Sequence, residues 1–276
     1  MVTLTKAQKE WAKRNKTIAC CIIEAIGTFC IVFFGGWAYL RLERNIKEFP
    51  WTAVALTQGV ITMGCCIAAQ NYSGGHFNWA VTLALAGLKK MPVGAAFYYI
   101  LAQTLGSFAA AFLIDNLTPE RYDESTVTKM GFPRLNEEYN ETTGFFVETI
   151  SSGMYMYMVM CFAFDHRMPK GVYGIACGMA VMLGIVSIGP VTGGCMNPAR
   201  LIGPIFITMF FGSSDGSALD INEQLHVYWF YFLGPIFGMI LVAFYYEFFV
   251  ITEEEENPDL SIASYENDDE VSKLKI

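Results

Sequence analysis

The sequence predicts an all-α membrane protein with six transmembrane helices and two re-entrant half-helices, arranged as an inverted repeat. First, 54% of the 276 residues are hydrophobic and 16% are charged, with a mean hydropathy of +0.37, which is too apolar for an ordinary soluble domain. Second, the charges avoid six long apolar runs. Third, two segments rich in glycine and asparagine each precede a shorter apolar run. Short polar loops between the six runs disfavour the alternative of a large soluble helical core.

Each of the six runs is close to the roughly 20 apolar residues that a transmembrane helix needs. Lys and Arg are more frequent in the N-terminal segment and in the loops on the same side than in the opposite loops. This asymmetry predicts that both termini are cytoplasmic. The runs cover residues 17–40, 51–70, 93–114, 144–164, 171–188 and 225–250.

Glu24 in the first run and Glu148 in the fourth suggest that the chain is built from two repeats. A carboxylate inside a membrane span is costly, so each is expected to face protein and to support a loop by accepting hydrogen bonds. Glu24 precedes Asn78 by 54 residues, and Glu148 precedes Asn197 by 49. Three spans per repeat would give the repeats opposite orientations. The predicted organisation is an N-terminal segment 1–16, a channel domain 17–250 (repeats 17–114 and 144–250, linker 115–143) and an acidic tail 251–276.

The runs at 78–88 and 197–211 are only about half a span long, which is typical of re-entrant helices. Asn78 and Asn197 are suited to cap them, and Pro198 is suited to the first helical position. Each half-helix would direct its positive N-terminal end into the protein at mid-membrane depth. Non-helical backbone at that depth survives where it is buried or lines a cavity, so the sequence predicts a pore.

The sequence contains no pattern that predicts an enzyme, a cofactor, a metal site or nucleic-acid binding. Metalloprotease, CxxC and phosphate-loop motifs are missing, and there is no basic patch. All eight cysteines lie in membrane-depth segments, which disfavours a disulfide framework or zinc site. Much of the net charge of −8 lies after Ile251 and is expected to form a solvated tail.

The motifs around the two asparagines resemble those of the major intrinsic protein family, the aquaporins, over residues 18–247. They are TGG before Asn197-Pro198-Ala199, Arg200 directly after it, SGGHFN with AVT in the first half, EAIGTF in the first run and FLGP in the sixth. The resemblance implies a homotetramer in a lipid bilayer, with one pore per subunit that passes water and small neutral solutes and excludes ions and protons. It also implies that Asn78 and Asn197 are paired donors at the pore centre.

Counting from these motifs places the family's selectivity filter at Gln58, Ile185, Gly194 and Arg200. Water-selective members usually have Phe and His on the second and fifth helices. Ile185 and Gly194 at their filter positions resemble those of the aquaporin-8 type and the plant tonoplast type. These types are associated with ammonia, urea and hydrogen peroxide. Gln58 departs from the His of those relatives, and Gln cannot titrate near neutral pH.

Trp79 is a second departure, because the family motif has Pro at this position. We expect Asn78 to remain in place and Trp79 to pack against neighbouring helices, with a possible effect on the width of the pore. The departures at Trp79 and Gln58 leave open a poorly conducting adhesion or signalling protein of the same fold. A glycerol facilitator is a further alternative, although Leu201 follows Arg200 where glycerol channels usually have Asp.

Four further residues carry specific expectations. His76 is either a pH-sensing residue at the pore mouth or a loop histidine bonded to backbone. Cys195 is expected to face the lumen and to react with mercurials. Asn116 and Asn140 lie in glycosylation sequons on the predicted outer side. The plasma membrane is the default location, because no organelle signal is evident.

Overall fold

The computed structural model describes residues 16–44, 50–118, 131–165, 167–169, 171–211 and 221–251. The predicted segment 1–16 and the acidic tail therefore lie almost entirely outside the described residues. Within those ranges, six helices are long and apolar enough to cross a membrane, which confirms the predicted fold class. They are α1 (Lys16–Arg44), α2 (Trp51–Ala69), α4 (Val93–Leu117), α5 (Glu141–Val159), α6 (Tyr173–Thr192) and α8 (Ile221–Tyr245).

Two shorter helices are the predicted half-helices. These are α3 (Trp79–Gly87) and α7 (Pro198–Phe211), which begin one residue after the two asparagines. The backbone N–H of Ala80 donates to Asn78 Oδ1 at 2.9 Å, and that of Ala199 donates to Asn197 Oδ1 at 3.0 Å. Each asparagine therefore caps its own half-helix and satisfies an N–H that the helix leaves unpaired.

Close contacts at glycine join the long helices in pairs. A Cβ on Gly106 would lie 2.1 Å from the Ala25 carbonyl oxygen, where α4 meets α1. A Cβ on Gly238 would lie 2.0 Å from the Thr149 carbonyl oxygen, where α8 meets α5. Ala25 and Thr149 each follow one of the two membrane glutamates, so the same close glycine contact between helices occurs in both halves. Small residues allow such close approach of helices in membranes.

Asp165 links the loop after α5 to the end of α8 and also forms a local ion pair with Arg167. Both helices end in a π-helical turn, Met160–Phe164 and Tyr246–Ile251. Asp165 accepts from Arg167 Nε and Nη2 at 2.9 and 2.7 Å and from the Tyr246 hydroxyl at 2.6 Å. These bonds, above all those from Arg167, hold the pKa of the Asp165 carboxyl well below its ordinary value. The loop after α5 is thereby fixed to the end of α8.

Candidate pore and filter

The N-termini of the two half-helices meet through a reciprocal pair of hydrogen bonds. Asn78 Nδ2 donates to the Met196 carbonyl oxygen, and Asn197 Nδ2 donates to the Phe77 carbonyl oxygen, both at 2.8 Å. Each amide nitrogen carries two hydrogens, so one N–H of each asparagine remains for another acceptor. Two donors and two positive helix ends are thus brought to one place.

Phe77 and Met196 precede the asparagines in left-handed backbone conformations, with φ of 48° and 51°. Such conformations are unfavourable for residues with side chains and persist where surrounding contacts enforce them. The N–H of Phe77 donates to Glu24 Oε2 at 2.7 Å, and the N–H of Met196 donates to Glu148 Oε2 at 2.8 Å. The two membrane glutamates therefore hold both strained turns.

Glu24 and Glu148 are fully buried and satisfied by hydrogen bonds to the loops. Glu24 also accepts from Ser73 Oγ at 2.7 Å, His76 N at 3.0 Å and Gln103 Nε2 at 2.8 Å. Glu148 also accepts from Thr192 Oγ1 at 2.6 Å and Cys195 N at 2.9 Å. A buried carboxylate is tolerated when donors of this kind replace its water.

A cavity of about 340 Å³, including space open to solvent, surrounds the meeting point of the half-helices. It brings together six residues that the sequence singled out: Gln58, His76, Asn78, Cys195, Asn197 and Arg200. Four other residues that the sequence singled out are not among the described residues that line this cavity: Ile185, Gly194, Trp79 and Pro198. The full lining is Ile31, Gln58, Thr62, His76, Phe77, Asn78, Tyr155, Val181, Cys195, Met196, Asn197 and Arg200.

Arg200 is held on several sides by protein atoms. With its amide oriented so that the oxygen faces the guanidinium, Gln58 accepts from Arg200 Nε at 3.0 Å and Nη2 at 3.1 Å. Arg200 Nη1 donates to the Gly194 carbonyl oxygen at 3.2 Å. The guanidinium carbon lies 4.7 Å from the centroid of the Tyr39 ring, a cation–π distance. The Tyr39 hydroxyl donates to the Gly193 carbonyl oxygen, which fixes the ring.

Ile185 and Gly194 contact each other beside this cluster. Ile185 is fully buried, and a Cβ on Gly194 would lie 3.0 Å from the Ile185 Cα. Gly194 also has a φ of +64°, which favours glycine. Of the two, Gly194 reaches Arg200 through its carbonyl oxygen, and Ile185 lies beside Gly194.

A wider cavity of about 1220 Å³, including space open to solvent, lies on the other side of the Arg200 cluster. It shares no lining residue with the central cavity among the described residues. Tyr39 lines the wide cavity and contacts Arg200, which lines the central one. The Arg200 cluster is therefore the boundary between them. The wide cavity is lined by Tyr39, Trp51, Phe132, Arg134, Leu135, Asn136, Glu137, Glu138, Gly189 and Pro190.

Trp79 points away from the central cavity. Its ring centroid lies 6.1 Å from that of Phe232 on α8, and its Nε1 is buried without a hydrogen-bond partner in the described part of the chain. Asn78 keeps its capping bond beside it. The geometry agrees with the expectation that Trp79 packs on a neighbouring helix while Asn78 stays in place.

His76 has the cavity-lining position that the pH-sensing interpretation needs, and its ring bonds a side chain where the other interpretation expected backbone. The His76 Nδ1 lies 3.1 Å from Thr82 Oγ1. The pH-sensing role stays a prediction. Cys195 also lines the cavity, and its Sγ donates to the Asn197 carbonyl oxygen at 3.3 Å. Both side chains are largely buried, so a reagent would reach them through the cavity.

The two sequon asparagines are exposed, but each already has a local role. Asn116 lies in the last turn of α4 and donates to the Phe112 carbonyl oxygen at 2.7 Å. Asn140 caps α5 by accepting from the Thr143 N–H at 2.9 Å. Glycosylation of either remains a prediction.

Sequence reasoning missed several residues of the central cavity that helical spacing could have found. Ile31 and Tyr155 each lie seven residues, about two turns, after a membrane glutamate, on the same helix face. Thr62 follows Gln58 by one turn, and Val181 precedes Ile185 by one turn. Tyr39 had no such signal, because its role depends on the position of Arg200.

Six spanning helices, with two half-helices meeting end to end around a polar cavity, define an integral membrane channel protein. The family model described as "Major intrinsic protein" matches residues 10–246, and the chain belongs to this family, which confirms the resemblance at that level.

Relatives and a solved structure agree with this assignment. The chain is 28% identical to nodulin-26 of Glycine max over 96% of this chain and 92% of that protein. It is 32% identical to aquaporin AqpM of Methanothermobacter thermautotrophicus over 83% of this chain and 96% of that protein. The X-ray structure of the aquaglyceroporin from Plasmodium falciparum superposes with a TM-score of 0.72 at 20% identity, covering 85% of this chain and 97% of that one. At this identity the structure shows the common fold.

Proposed function

We propose that the protein is a passive transmembrane channel for water and small neutral solutes that excludes ions and protons. One observation carries the proposal: the amides of Asn78 and Asn197 meet in a polar cavity at the N-termini of two half-helices. Two aligned positive helix ends repel cations. Two amide donors at the same place orient a passing dipole, which interrupts a chain of water along which protons could move.

The proposed division of roles follows the geometry. Asn78 and Asn197 are the central donors, with Pro198 starting the second half-helix and Trp79 the first. The filter is formed by Gln58, Ile185, Gly194 and Arg200. Glu24 and Glu148 support the loops, and His76 and Cys195 line the lumen.

Ammonia, urea and hydrogen peroxide are the proposed solutes beside water. Gln58 and Ile185 stand where water-selective members usually have Phe and His, and Gly194 adds no side chain. None of these three positions therefore carries an aromatic ring or an imidazole that would narrow the filter. Together with SGGHFN and GGCMNPAR, Ile185 and Gly194 support a likeness to the aquaporin-8 type. Gln58 cannot deprotonate ammonium as a histidine could, so ammonia would pass as the neutral molecule.

Stopped-flow measurements on proteoliposomes test the proposal with water, ammonia, urea and glycerol. We expect water flux above that of empty vesicles, and loss of most of it in Asn197→Leu, which removes the donor. Asn116→Gln is the matched control, because Asn116 is exposed at the end of α4. If no neutral solute crosses faster than in empty vesicles, the protein is not a channel. Flux that depends on a proton gradient would instead indicate a coupled transporter.

A poorly conducting adhesion or signalling protein is the second candidate, favoured by the internal bond between Gln58 and Arg200. That bond occupies donors that a permeating molecule would use. A glycerol facilitator is the third, and it requires the filter to open wide enough for a polyol. The four-solute measurement separates all three.

The remaining proposals concern assembly and location. A homotetramer with both termini cytoplasmic, in the plasma membrane, is the proposed arrangement. The repeats 17–114 and 144–250 are supported by the matching contacts of Gly106 and Gly238. Cross-linking in membranes and protease protection of tagged termini test oligomeric state and topology. Loss of an endoglycosidase-sensitive mass in Asn140→Gln or Asn116→Gln would identify the glycosylated site.

A further inference from the structure

The two repeats differ in one residue of the central cavity. Ile31 lies seven residues after Glu24 on α1, and Tyr155 lies seven residues after Glu148 on α5. Both line the cavity, so they occupy corresponding places in the two halves. One is a medium-sized aliphatic residue, and the other is a large ring with a hydroxyl group. The larger of the two side chains, Tyr155, therefore lies on the α5 side of the pore.

The helix faces of α2 and α6 that line the cavity can be followed beyond it by steps of four residues. On α2 the series is Gln58, Thr62 and Cys66, and on α6 it is Ile185, Val181 and Cys177. Thr62 and Val181 line the cavity, whereas Cys66 and Cys177 are fully buried and belong to one apolar cluster. The two helices are pressed together here, since a Cβ on Gly174 would lie 2.8 Å from the Ile67 nitrogen.

Two tyrosines lie in the same buried cluster as Cys66 and Cys177. They are Tyr155 on α5 and Tyr173 on α6, and both are buried together with Cys177. The Tyr173 hydroxyl donates to the Gly75 carbonyl oxygen at 3.4 Å, and Cys66 Sγ donates to the same oxygen at 3.5 Å. We call Cys66, Tyr155, Tyr173 and Cys177 the inner layer. It joins three helices and the loop before α3 at the end of the cavity away from Arg200.

We infer that the inner layer is a second selectivity barrier, and that Tyr155 sets the size limit of solutes that cross it. The inference rests on the proposed channel function. Tyr155 is the residue of the inner layer that also lines the cavity, so a solute leaving the central asparagines meets its ring first. A tyrosine ring is rigid, with two side-chain torsions, and burial in the apolar cluster restrains the Tyr155 ring further. Water and ammonia are small enough to pass it more readily than urea or glycerol.

Permeability ratios in proteoliposomes test this role. In Tyr155→Leu we expect the urea-to-water and glycerol-to-water ratios to rise roughly five-fold or more, because a branched aliphatic side chain replaces the ring. Tyr155→Phe keeps the ring and should stay within about two-fold of wild type, since ring size limits passage. Phe146→Leu is the matched control, because Phe146 is 57% exposed on the same helix. It should change neither ratio.

The outcomes separate this inference from the channel proposal. Wild-type water flux tests the channel by itself, and its absence in every variant would overturn the channel proposal. If wild-type water flux is present and Tyr155→Leu leaves both ratios within about two-fold of wild type, the size limit lies elsewhere. Gel filtration and thermal melting verify that each variant is folded. Should Tyr155→Leu fail to fold, Tyr155→Met makes the same test with an unbranched side chain, with the same ratios expected.

Discussion

The side-chain oxygen of Gln58 accepts two hydrogen bonds from Arg200, at 3.0 Å from Nε and 3.1 Å from Nη2. Gln58 lies on α2 and Arg200 on α7, so this contact joins the two halves of the chain at the filter. Gln58 accepts hydrogen bonds from Arg200 that a permeating molecule would otherwise accept. In the proposed channel, water or another solute would therefore compete with Gln58 for the Arg200 guanidinium.

Replacing Gln58 with Met should raise water permeability by roughly three- to ten-fold. Met has nearly the same length but is a weak acceptor, so Nε and Nη2 become available to water at a gain of about 1 kcal/mol. Stopped-flow light scattering on proteoliposomes measures the change. Leu56→Met, at a position 57% exposed on the same helix, is the control. Unchanged water permeability in Gln58→Met would mean that the bond does not limit passage.

Gly35→Ala should produce the same rise without any change to Gln58 itself. A Cβ on Gly35 would lie within 1.7 Å of the Gln58 amide, so the flexible Gln58 side chain must leave its place beside Arg200. Helix propensity favours Ala over Gly by about 1 kcal/mol, so α1 itself is not weakened. Gly64→Ala adds the same methyl group to open space on α2 and should leave flux unaltered. Equal flux in the two alanine variants would contradict the prediction.

The fold was predictable because its signals are local. Apolar length marked six spans, and the two asparagines marked where α3 and α7 begin, at Trp79 and Pro198. The ends of the spans were less well defined. The helix α1 extends to Arg44, past the predicted end at residue 40, because polar residues continue a helix beyond its apolar part. The comparisons then settle the family, whereas the roles of the site residues remain predictions.

The arrangement of the filter was predictable only in part. Counting from the motifs placed Gln58 and Arg200 near each other but could not give the direction of the Gln58 side chain. That direction depends on the free space at Gly35, which is 23 residues away in sequence. Tyr39 was missed for the same reason, since its contact with Arg200 arises from helix packing. The assignment of Ile185 to the filter stays a prediction, and the structure places Ile185 beside Gly194.

Glu148→Gln should destabilise the protein by about 2 kcal/mol or more. The carboxylate accepts from Thr192 Oγ1, Cys195 N and Met196 N, and a glutamine amide would turn an NH₂ group toward at least one of these donors. Thermal melting in detergent should show a fall in Tm of roughly 5 °C or more. The control is Glu138→Gln, which alters an exposed carboxylate. A melting temperature equal to that of wild type would show that the loop does not depend on Glu148.

Cys195→Ser should abolish inhibition of water flux by mercurials. Cys195 lines the central cavity, so a bulky mercury adduct there would obstruct passage. Serine keeps the size and removes the soft sulfur ligand. Cys161→Ser changes a buried cysteine that does not line this cavity and should retain inhibition. If Cys195→Ser is inhibited as fully as wild type, the mercurial acts at another cysteine.

Trp79→Pro should leave water and ammonia permeability within about two-fold of wild type while lowering the melting temperature, because a large partly buried ring is lost. The ring packs on Phe232 and not on the central cavity. Proline suits the first position of α3, and Asn78 can keep its bond to the Ala80 N–H. Phe232→Leu removes the same contact from its other side, so it should also lower the melting temperature without altering selectivity. A changed ammonia-to-water ratio in Trp79→Pro would instead show that residue 79 helps to set the pore width.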